Sequence, residues 1–239
     1  MKISNILISQ PAPQNSSPYA ELTSKFEVNL DFHPFFTVEP LTAKEFRAQK
    51  INILDFTAIV FTAKTTIDAF FKLCEELRVT VPETMKYFCN SEATAVYLQK
   101  HIVFRKRKIF YGNGTTASII ETIGNKHKDE NFLIAATAEN VKGDLHKLFS
   151  KTKYKFESAA FVKTIYSNLT EMDMNKYQVA VFYSPADVKS LQENFPEFEQ
   201  KDLQIATFGP AAAKAVTAAG FRVDITAPTP EAPSIAKAL

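Results

Sequence analysis

The chain contains 239 residues, of which 46% are apolar and 23% are charged, and its formal net charge is +2. This length is enough for one large domain or for two smaller ones, each with a core of its own. A dedicated nucleic-acid binder would carry a strongly basic face, which a nearly neutral chain does not suggest. No stretch reaches the ~18 apolar residues of a membrane span, and the N-terminal MKISNILISQ is unlike a signal peptide. We therefore expect a cytoplasmic protein without nucleic-acid or membrane partners, and a monomer because no segment suggests a large exposed apolar face.

The cysteines and histidines do not suggest a metal or cofactor site. Cys74 and Cys89 lie among apolar neighbours without CxxC spacing, a pattern typical of reduced core thiols. The four histidines are scattered, whereas a metal site needs three or four ligands. The glycine-rich motifs of dinucleotide and P-loop sites are absent, and the basic run Arg105–Lys108 is typical of a solvated turn. We expect neither a metal nor a cofactor.

Two parts of the chain begin with the same kinds of element, a short apolar strand, a helix and a long extended run. Each extended run is longer than one ordinary strand, and the first contains Pro34. In chain order these elements are a strand at 5–8, a helix at 18–26, an extended run at 27–41, a strand at 132–135, a helix at 141–150 and an extended run at 156–169.

Three further strand-turn-helix units occur twice, in the same order. In the first, FTAIVFTAKTTIDAFF and YQVAVFYSPADVKSLQ share a leading aromatic residue, an apolar run, a small polar turn and apolar residues at helical spacing. Three matches in register indicate an internal duplication. Strands that alternate with helices predict a parallel sheet covered on both faces. The paired segments are 56–71 with 177–192, 86–100 with 204–220, and 112–123 with 228–239.

These patterns predict an α/β protein of two similar, doubly wound parallel-sheet domains joined by a two-stranded extended linker. The long extended runs are explained if each leaves one domain and bridges to the other. The first domain would then contain residues 1–35 and 170–239, and the second would be inserted as residues 42–162. Residues 36–41 and 163–169 would be linkers that pair as a hinge.

The turns that follow the predicted strands are the candidate ligand site, because ligands of open parallel sheets bind beyond the carboxyl ends of the strands. These turns are rich in hydroxyls, prolines and backbone amides and poor in acids, histidines and cysteines. Such a lining suits a carboxylate or phosphate at a helix N-terminus, although the same residue types also cap helices. The turns are Ser9-Gln10-Pro11, Thr62-Ala63-Lys64, Ser91–Thr94, Gly112–Thr116, Ser184-Pro185, Gly209–Ala212 and Pro228-Thr229-Pro230.

The segments FTAKT, FYSPADV and FGPAAAKAVTAAGFRVDITAPTPEA, together with the inserted domain, resemble the uroporphyrinogen-III synthase family. The resemblance covers nearly the whole chain and is most specific over residues 177–236. It implies a two-lobed enzyme that closes the linear tetrapyrrole hydroxymethylbilane into uroporphyrinogen III and inverts ring D, without cofactor or metal. In the implied reaction, loss of the terminal hydroxyl as water leaves a cation, ring D attacks through its substituted carbon, and a spiro intermediate rearranges to the macrocycle.

The resemblance also implies which turn residues bind the substrate. Some match the family pattern, whereas Ala211 and Ala212 replace paired threonines, Ala63 replaces a serine and Gln10 replaces an arginine. The implied substrate-binding residues are Ser9, Gln10, Thr62, Ala63, Thr94, Ser184, Gly209, Pro210, Ala211, Ala212 and Thr229.

A tyrosine that assists departure of the hydroxyl in the family falls on Val162, and the nearest phenol is Tyr166. An even offset keeps Tyr166 on the same face of an extended run, although roughly 13 Å further along. Tyr166 is therefore the candidate catalytic residue. Because the departures remove hydroxyls, two other functions stay open, namely a degenerate homologue that binds a tetrapyrrole or other polycarboxylate, and a small-molecule sensor.

Overall fold

The computed structural model describes residues 3–14 and 19–239, which form two β-sheets with helices on their faces. The strands are β1 Asn5–Ile8, β2 Asn29–Phe32, β3 Phe36–Pro40, β4 Ala58–Phe61, β5 Lys86–Cys89, β6 Ile109–Tyr111, β7 Asn131–Thr137, β8 Lys155–Tyr166, β9 Val179–Phe182, β10 Gln204–Phe208 and β11 Ile225–Ala227. The α-helices are α1 Ala20–Phe26, α2 Ala43–Ala48, α3 Lys64–Glu76, α4 Glu92–Tyr97, α5 Thr116–Ile123, α6 Asp144–Ser150, α7 Pro185–Asn194, α8 Pro210–Ala218 and α9 Ile235–Ala238.

The chain divides into two compact units. Unit 1 consists of Met1–Thr37 and Ile165–Leu239, and unit 2 consists of Val38–Thr164. The boundary between the two units therefore falls inside each predicted linker, after Thr37 in 36–41 and after Thr164 in 163–169.

The sheet of unit 1 has the strand order β11-β10-β9-β1-β2 within the described residues, and each neighbouring pair is parallel. Numbered along the chain inside the unit, this order is 2-1-3-4-5. One face packs Leu7, Phe182 and Leu191 into a core, and the other face packs Ile8 and Val181. The strand order reverses between β1 and β9, which is where an open parallel sheet offers a ligand crevice.

The sheet of unit 2 has the order β3-β8-β7-β4-β5-β6 among the described strands. From β8 to β6 every neighbouring pair is parallel. Numbered along the chain with β3 set aside, this order is 5-4-1-2-3. Placing β7 and β8 before β4, as β1 and β2 precede β9 in unit 1, turns it into 2-1-3-4-5, so the duplicated segments build sheets with the same strand arrangement in a circularly permuted chain order. The predicted α/β fold with two similar parallel sheets is confirmed.

The central strands show why the sequence pattern was informative. Strands β4 and β9 read AIVF and VAVF, and every residue of both is buried. Because helices cover both faces of a parallel sheet, such strands have no alternating polar face. The apolar run followed by helical spacing therefore identified them.

The two long extended runs differ from one another. The run at 27–41 forms two strands, β2 and β3, on either side of Pro34, which cannot donate a ladder hydrogen bond. The run at 156–169 is mostly a single strand of twelve residues, β8, with a register shift opposite Ala136 and Thr137. Both runs thus exceed an ordinary strand of up to about ten residues, the first as two strands and the second as one long strand.

Two predicted helices start later than expected. The predicted helix at 18–26 is observed as α1, and its residue 18 lies outside the described residues. The predicted helix at 141–150 begins at Asp144 because Gly143 is its N-cap. In the described part of the chain, no helix has the length and apolar character needed to cross a membrane.

Candidate functional site

The turns of unit 1 named from the sequence lie along one edge of its sheet. Ser9 follows β1, Ser184 follows β9, Gly209 follows β10 and Thr229 follows β11. Because these strands are parallel, their carboxyl ends meet at the same edge. The amide of Ser9 donates to the carbonyl of Val181 at 3.1 Å, which ties the turn after β1 to the end of β9. Ser9 and Ser184 therefore lie where the strand order reverses.

The turn between β10 and α8 presents an open helix N-terminus. Gly209 has φ 88° and ψ 156°, a conformation essentially restricted to glycine, and its amide donates to the Ala227 carbonyl at 2.6 Å. No side chain caps α8, and its first turn contains no acidic residue. Since Pro210 has no N–H and Ala212 is buried, the amide of exposed Ala211 is the donor that the first turn offers to a ligand. The helix dipole adds partial positive charge, so the turn favours an anion.

The two alanines of this turn differ in burial. Ala211 is exposed, whereas Ala212 is 0% exposed and lies with Val216 on the face of α8 that packs inward. The methyl group of Ala212 therefore cannot be replaced by a larger hydroxyl side chain without repacking. Of the two positions where the resemblance implies a threonine, only Ala211 faces solvent.

The turn between β9 and α7 is closed by Asp187, which the sequence reasoning did not single out. The carboxylate Oδ2 accepts the amide hydrogens of Tyr183 at 2.8 Å and Ser184 at 2.9 Å, and the Ser184 hydroxyl lies 3.3 Å away. These amides are occupied, so Ser184 holds the turn rather than offering it to a ligand. The spacing Ser-x-x-Asp in SPAD is a capping-box pattern and was the signal available in the sequence.

Burial dominates the electrostatics of Asp187. The side chain is 1% exposed, and loss of water raises the pKa of its carboxyl, against the lowering effect of the hydrogen bonds from Tyr183 and Ser184 and of the nearby Ser9 hydroxyl. In the described structure, Asp187 Oδ1, Ser9 Oγ and Thr207 Oγ1 are buried without a partner at hydrogen-bonding geometry. Such atoms are rare in folded proteins. Buried polar atoms thus lie beneath the turns at this end of the sheet.

The turn between β4 and α3 is the corresponding open turn of unit 2. Thr62 is exposed, Ala63 is the N-cap without a side-chain hydrogen bond, and the first turn of α3 has no acidic residue. Lys64 begins the helix, with its ammonium 5.3 Å from the centre of the Tyr97 ring, and the Lys100 ammonium lies at the same distance from that ring. The Lys100 ammonium is paired with the Asp68 carboxylate at 3.3 Å, so it is Lys64 that adds positive charge beside this uncapped N-terminus.

The other turns of unit 2 are capped by their own side chains. The hydroxyl of Ser91 accepts the amide hydrogen of Thr94 at 3.3 Å and lies 3.0 Å from the Thr94 hydroxyl. Thr94 is 6% exposed, so its hydroxyl braces the start of α4. Thr115 caps α5 in the same way by accepting from Ser118.

The remaining predicted residues of unit 1 have local roles. The Thr229 hydroxyl accepts from the Ala232 amide at 3.0 Å, and the Thr229 amide donates to the Ala232 carbonyl at 2.9 Å, so Thr229 closes its own turn. Gln10 is exposed after β1 and borders a cavity.

The candidate catalytic phenol lies at the end of β8. Tyr166 is half-buried, and the Lys189 ammonium lies 5.4 Å from the centre of its ring. Val162, where the resemblance implies a tyrosine, is 1% exposed in the core of unit 2. A phenol at position 162 would therefore be enclosed by apolar side chains.

The cysteines are not reactive groups. Cys74 and Cys89 are free and buried, and burial raises the pKa of each thiol to about 12. Across residues 3–14 and 19–239, no group of three or more His, Cys, Asp or Glu side chains is arranged to hold a metal ion.

A family model described as uroporphyrinogen-III synthase HemD matches residues 17–237. The chain belongs to the uroporphyrinogen-III synthase family. This confirms the resemblance found in the sequence, and the match includes nearly all of the turns described above. Among curated protein sequences, a search finds no significant match.

Two solved structures of uroporphyrinogen-III synthases share the fold. A mutant enzyme from the extremely thermophilic bacterium Thermus thermophilus superposes with a TM-score of 0.62 at 12% identity, covering 98% of this chain and 94% of that one. The enzyme from Helicobacter pylori superposes with a TM-score of 0.60 at 17% identity, covering 95% of this chain and 94% of that one. At these identities the likeness concerns the fold alone.

In this member of the uroporphyrinogen-III synthase family, the open turns are fewer than the sequence suggested. The hydroxyls of Ser184, Thr94 and Thr229 make hydrogen bonds within their own turns. The uncapped first turns of α3 in unit 2 and α8 in unit 1 keep free backbone amides.

Proposed function

We propose that this protein is a uroporphyrinogen-III synthase that converts hydroxymethylbilane into uroporphyrinogen III with loss of water and inversion of ring D. The observation that carries the proposal is the family match over residues 17–237. Apart from β1 and the turn of Ser9, the match includes the described strands and the candidate turns of both units, so the proposed substrate class concerns both units.

The open helix N-termini supply the grip that such a substrate needs. The substrate carries eight carboxylates, and a carboxylate is stabilised by unpaired amides at a helix N-terminus. We assign this role in unit 1 to the amide of exposed Ala211, where Gly209 and Pro210 set the turn and buried Ala212 packs beneath it. In unit 2 we assign it to the turn of Thr62 and Ala63.

The other candidate residues support these turns. Ser9, Thr94, Ser184 and Thr229 hold backbone segments at the ends of strands, and exposed Gln10 borders the binding edge. Their proposed contribution is positional, because a turn displaced by about 1 Å loses much of the benefit of orientation.

The chemistry places modest demands on acid–base groups. The terminal C–O bond breaks, the hydroxyl takes up a proton and leaves as water, and the resulting cation is attacked by ring D. Rearrangement and loss of a proton then complete the macrocycle. Since the linear substrate is inherently reactive, the main task of the protein is to hold one carbon of ring D near the cation. We propose Tyr166 as the phenol that gives the departing hydroxyl its proton.

We further propose that the protein acts as a monomer in the cytoplasm, without a metal or an organic cofactor. The two buried, free thiols support a reducing compartment. Sedimentation of the purified protein and fractionation of the cells that produce it would test the two statements separately.

The test of the reaction is the isomer formed from hydroxymethylbilane. Spontaneous closure yields the type I isomer, so the proposal predicts type III product, and type I product alone would refute it. A second candidate is a non-catalytic homologue that binds polycarboxylates. It is favoured by the burial of Val162 in the core and by the alanines at positions 211 and 212. Tight binding of uroporphyrinogen without type III product would support that alternative.

A further inference from the structure

Unit 1 contains a cavity at the same edge as the proposed binding turns, and no role above uses it. Its volume is about 240 Å³, and it lies where the turn after β1 meets the ends of β2, β9 and β10 and the start of α9. Its walls are formed mainly by aromatic and apolar side chains. Those that matter here are Gln10, Tyr19, Phe32, Tyr183, Phe208 and Ile235.

The aromatic walls hold one another in place. The rings of Tyr19 and Phe32 are 5.8 Å apart in an edge arrangement, and those of Tyr183 and Phe208 are 5.9 Å apart. A hydrogen bond between the hydroxyls of Tyr19 and Tyr183 links the two pairs. The cavity is therefore shaped before a ligand enters, which lowers the entropic cost of binding. Phe208, at 37% exposed, is the most accessible ring of the four.

The cavity is uncharged. Its described lining contains no Asp, Glu, Lys, Arg or His, and burial raises the pKa of both Tyr19 and Tyr183, so the phenols stay neutral. A carboxylate inside it would lose its hydration without gaining a cation. A neutral planar ring would instead find aromatic faces, with phenol oxygens near its polar atoms.

The size and position of the cavity restrict the ligand further. Pockets that enclose a whole drug-sized ligand measure ~300–1,000 Å³, so 240 Å³ suits one substituted ring and not four. Phe208 directly precedes Gly209 and the open N-terminus of α8. A ring bound against Phe208 can thus place a short acidic arm outside the cavity, toward the amide of exposed Ala211.

We propose that this cavity binds a single pyrrole ring of the linear tetrapyrrole, with that ring's carboxylate arm at the N-terminus of α8. This inference rests on the proposed function for the identity of the whole ligand. It adds a ring subsite to the carboxylate grip, so that one ring is fixed by its face as well as by its acidic arms.

The test uses a monopyrrole that bears one acetate and one propionate side chain, with citrate as an acidic probe that lacks a ring. Calorimetric titration of the intact protein is expected to show monopyrrole binding that Phe208→Ala weakens about tenfold, because an aromatic contact is lost. Tyr183→Phe, which keeps the ring, should weaken binding less than Phe208→Ala does. Phe26→Ala is the matched control, since Phe26 is 63% exposed and lies outside the cavity. Citrate binding should respond to none of the three.

Equal affinity of wild type, Phe208→Ala and Phe26→Ala for the monopyrrole would overturn the inference, as would no monopyrrole binding by the wild type. Thermal unfolding of each variant shows whether weaker binding comes from a lost contact or from loss of the folded state. If Phe208→Ala is unstable, Tyr183→Leu removes another aromatic ring of the cavity. Failure of the proposed function is distinguishable. If the wild type forms only type I product but binds the monopyrrole with an affinity that depends on Phe208, ring binding by the cavity is supported and the synthase activity is refuted.

Discussion

The buried carboxylate of Asp187 accepts the amide hydrogen of Tyr183 at 2.8 Å. Asp187 thus occupies, from inside the protein, amides of the turn between β9 and α7. The sequence had suggested that this turn binds a substrate carboxylate. Because burial raises the pKa of Asp187 above its usual 3.8, ionisation of this carboxyl opposes folding. The same group therefore organises the turn and makes its stability depend on pH.

Asp187→Asn is expected to change that pH dependence. With a folded pKa above the unfolded value, the contribution of Asp187 to stability is fully present below the usual pKa and is lost as pH rises through the folded pKa. Asparagine cannot ionise, yet it retains an oxygen for the two amides. The free energy of unfolding of the variant relative to wild type should therefore rise as the pH increases above the usual carboxyl value of 3.8, as measured by urea titration.

A difference between Asp187→Asn and wild type that stays constant with pH would contradict this account. Asp187→Ala is the control for the hydrogen bonds, because it leaves the amides of Tyr183 and Ser184 without their acceptor. It should cost ~1–3 kcal/mol for each amide that stays unsatisfied.

Gly209→Ala is expected to impair the binding turn. A side chain at φ 88° and ψ 156° costs ~1–3 kcal/mol, and relief of this strain would turn the amide of Ala211 away from the ligand. We expect lower stability in urea titrations and a higher KM for hydroxymethylbilane. Gly220→Ala is the matched control, since Gly220 also has positive φ, at 83°, but follows the other end of α8. If both variants raise KM equally, the effect is one of stability and not of the turn.

The alanine pair after Gly209-Pro210 offers a gain-of-affinity test. Ala211→Ser places a hydroxyl on the exposed side of the open turn and should improve substrate binding by ~0.5–1.5 kcal/mol, measured as a lower KM. Ala212→Thr introduces a larger side chain at a position that is 0% exposed, and overpacking should cost ~1–3 kcal/mol of stability. Improved binding in Ala212→Thr with unchanged stability would show that our assignment of the two faces is wrong.

Tyr166→Phe tests the proposed proton donor. Loss of a positioned acid typically lowers kcat by ~100-fold or more, whereas KM should change little because the ring remains. Tyr154→Phe removes another half-buried phenol, one that donates to the Gly124 carbonyl, and should leave kcat unchanged. Equal kcat values for Tyr166→Phe and wild type would assign Tyr166 a packing role beside Lys189.

Much of the fold was readable from the sequence because its signals are local. The apolar runs of β4 and β9, each followed by helical spacing, marked the repeated units, and the duplication then predicted two similar sheets. The run at 156–169 was harder, since its buried centre reads Ala-Ala-Phe-Val without a turn signal. Its length indicated that it exceeds an ordinary strand, but not that it continues as a single strand of twelve residues.

The candidate site was predictable at the level of turns and not of side chains. Edge positions follow from the parallel topology, so Ser9 and Gly209 were placed correctly at strand ends. The burial of Ala212 could have been inferred from its four-residue spacing to Val216 on one helical face. The bond between Tyr19 and Tyr183, which are 164 residues apart, could not, because a single sequence carries no information on such distant contacts.

The proposed synthase activity can be measured by varying the concentration of this protein at a fixed concentration of hydroxymethylbilane and separating the two isomers of the product. Spontaneous closure to the type I isomer does not depend on the protein. For a synthase, we expect the type III fraction to rise with protein concentration until it dominates. A product that remains type I at every protein concentration would contradict the proposed activity.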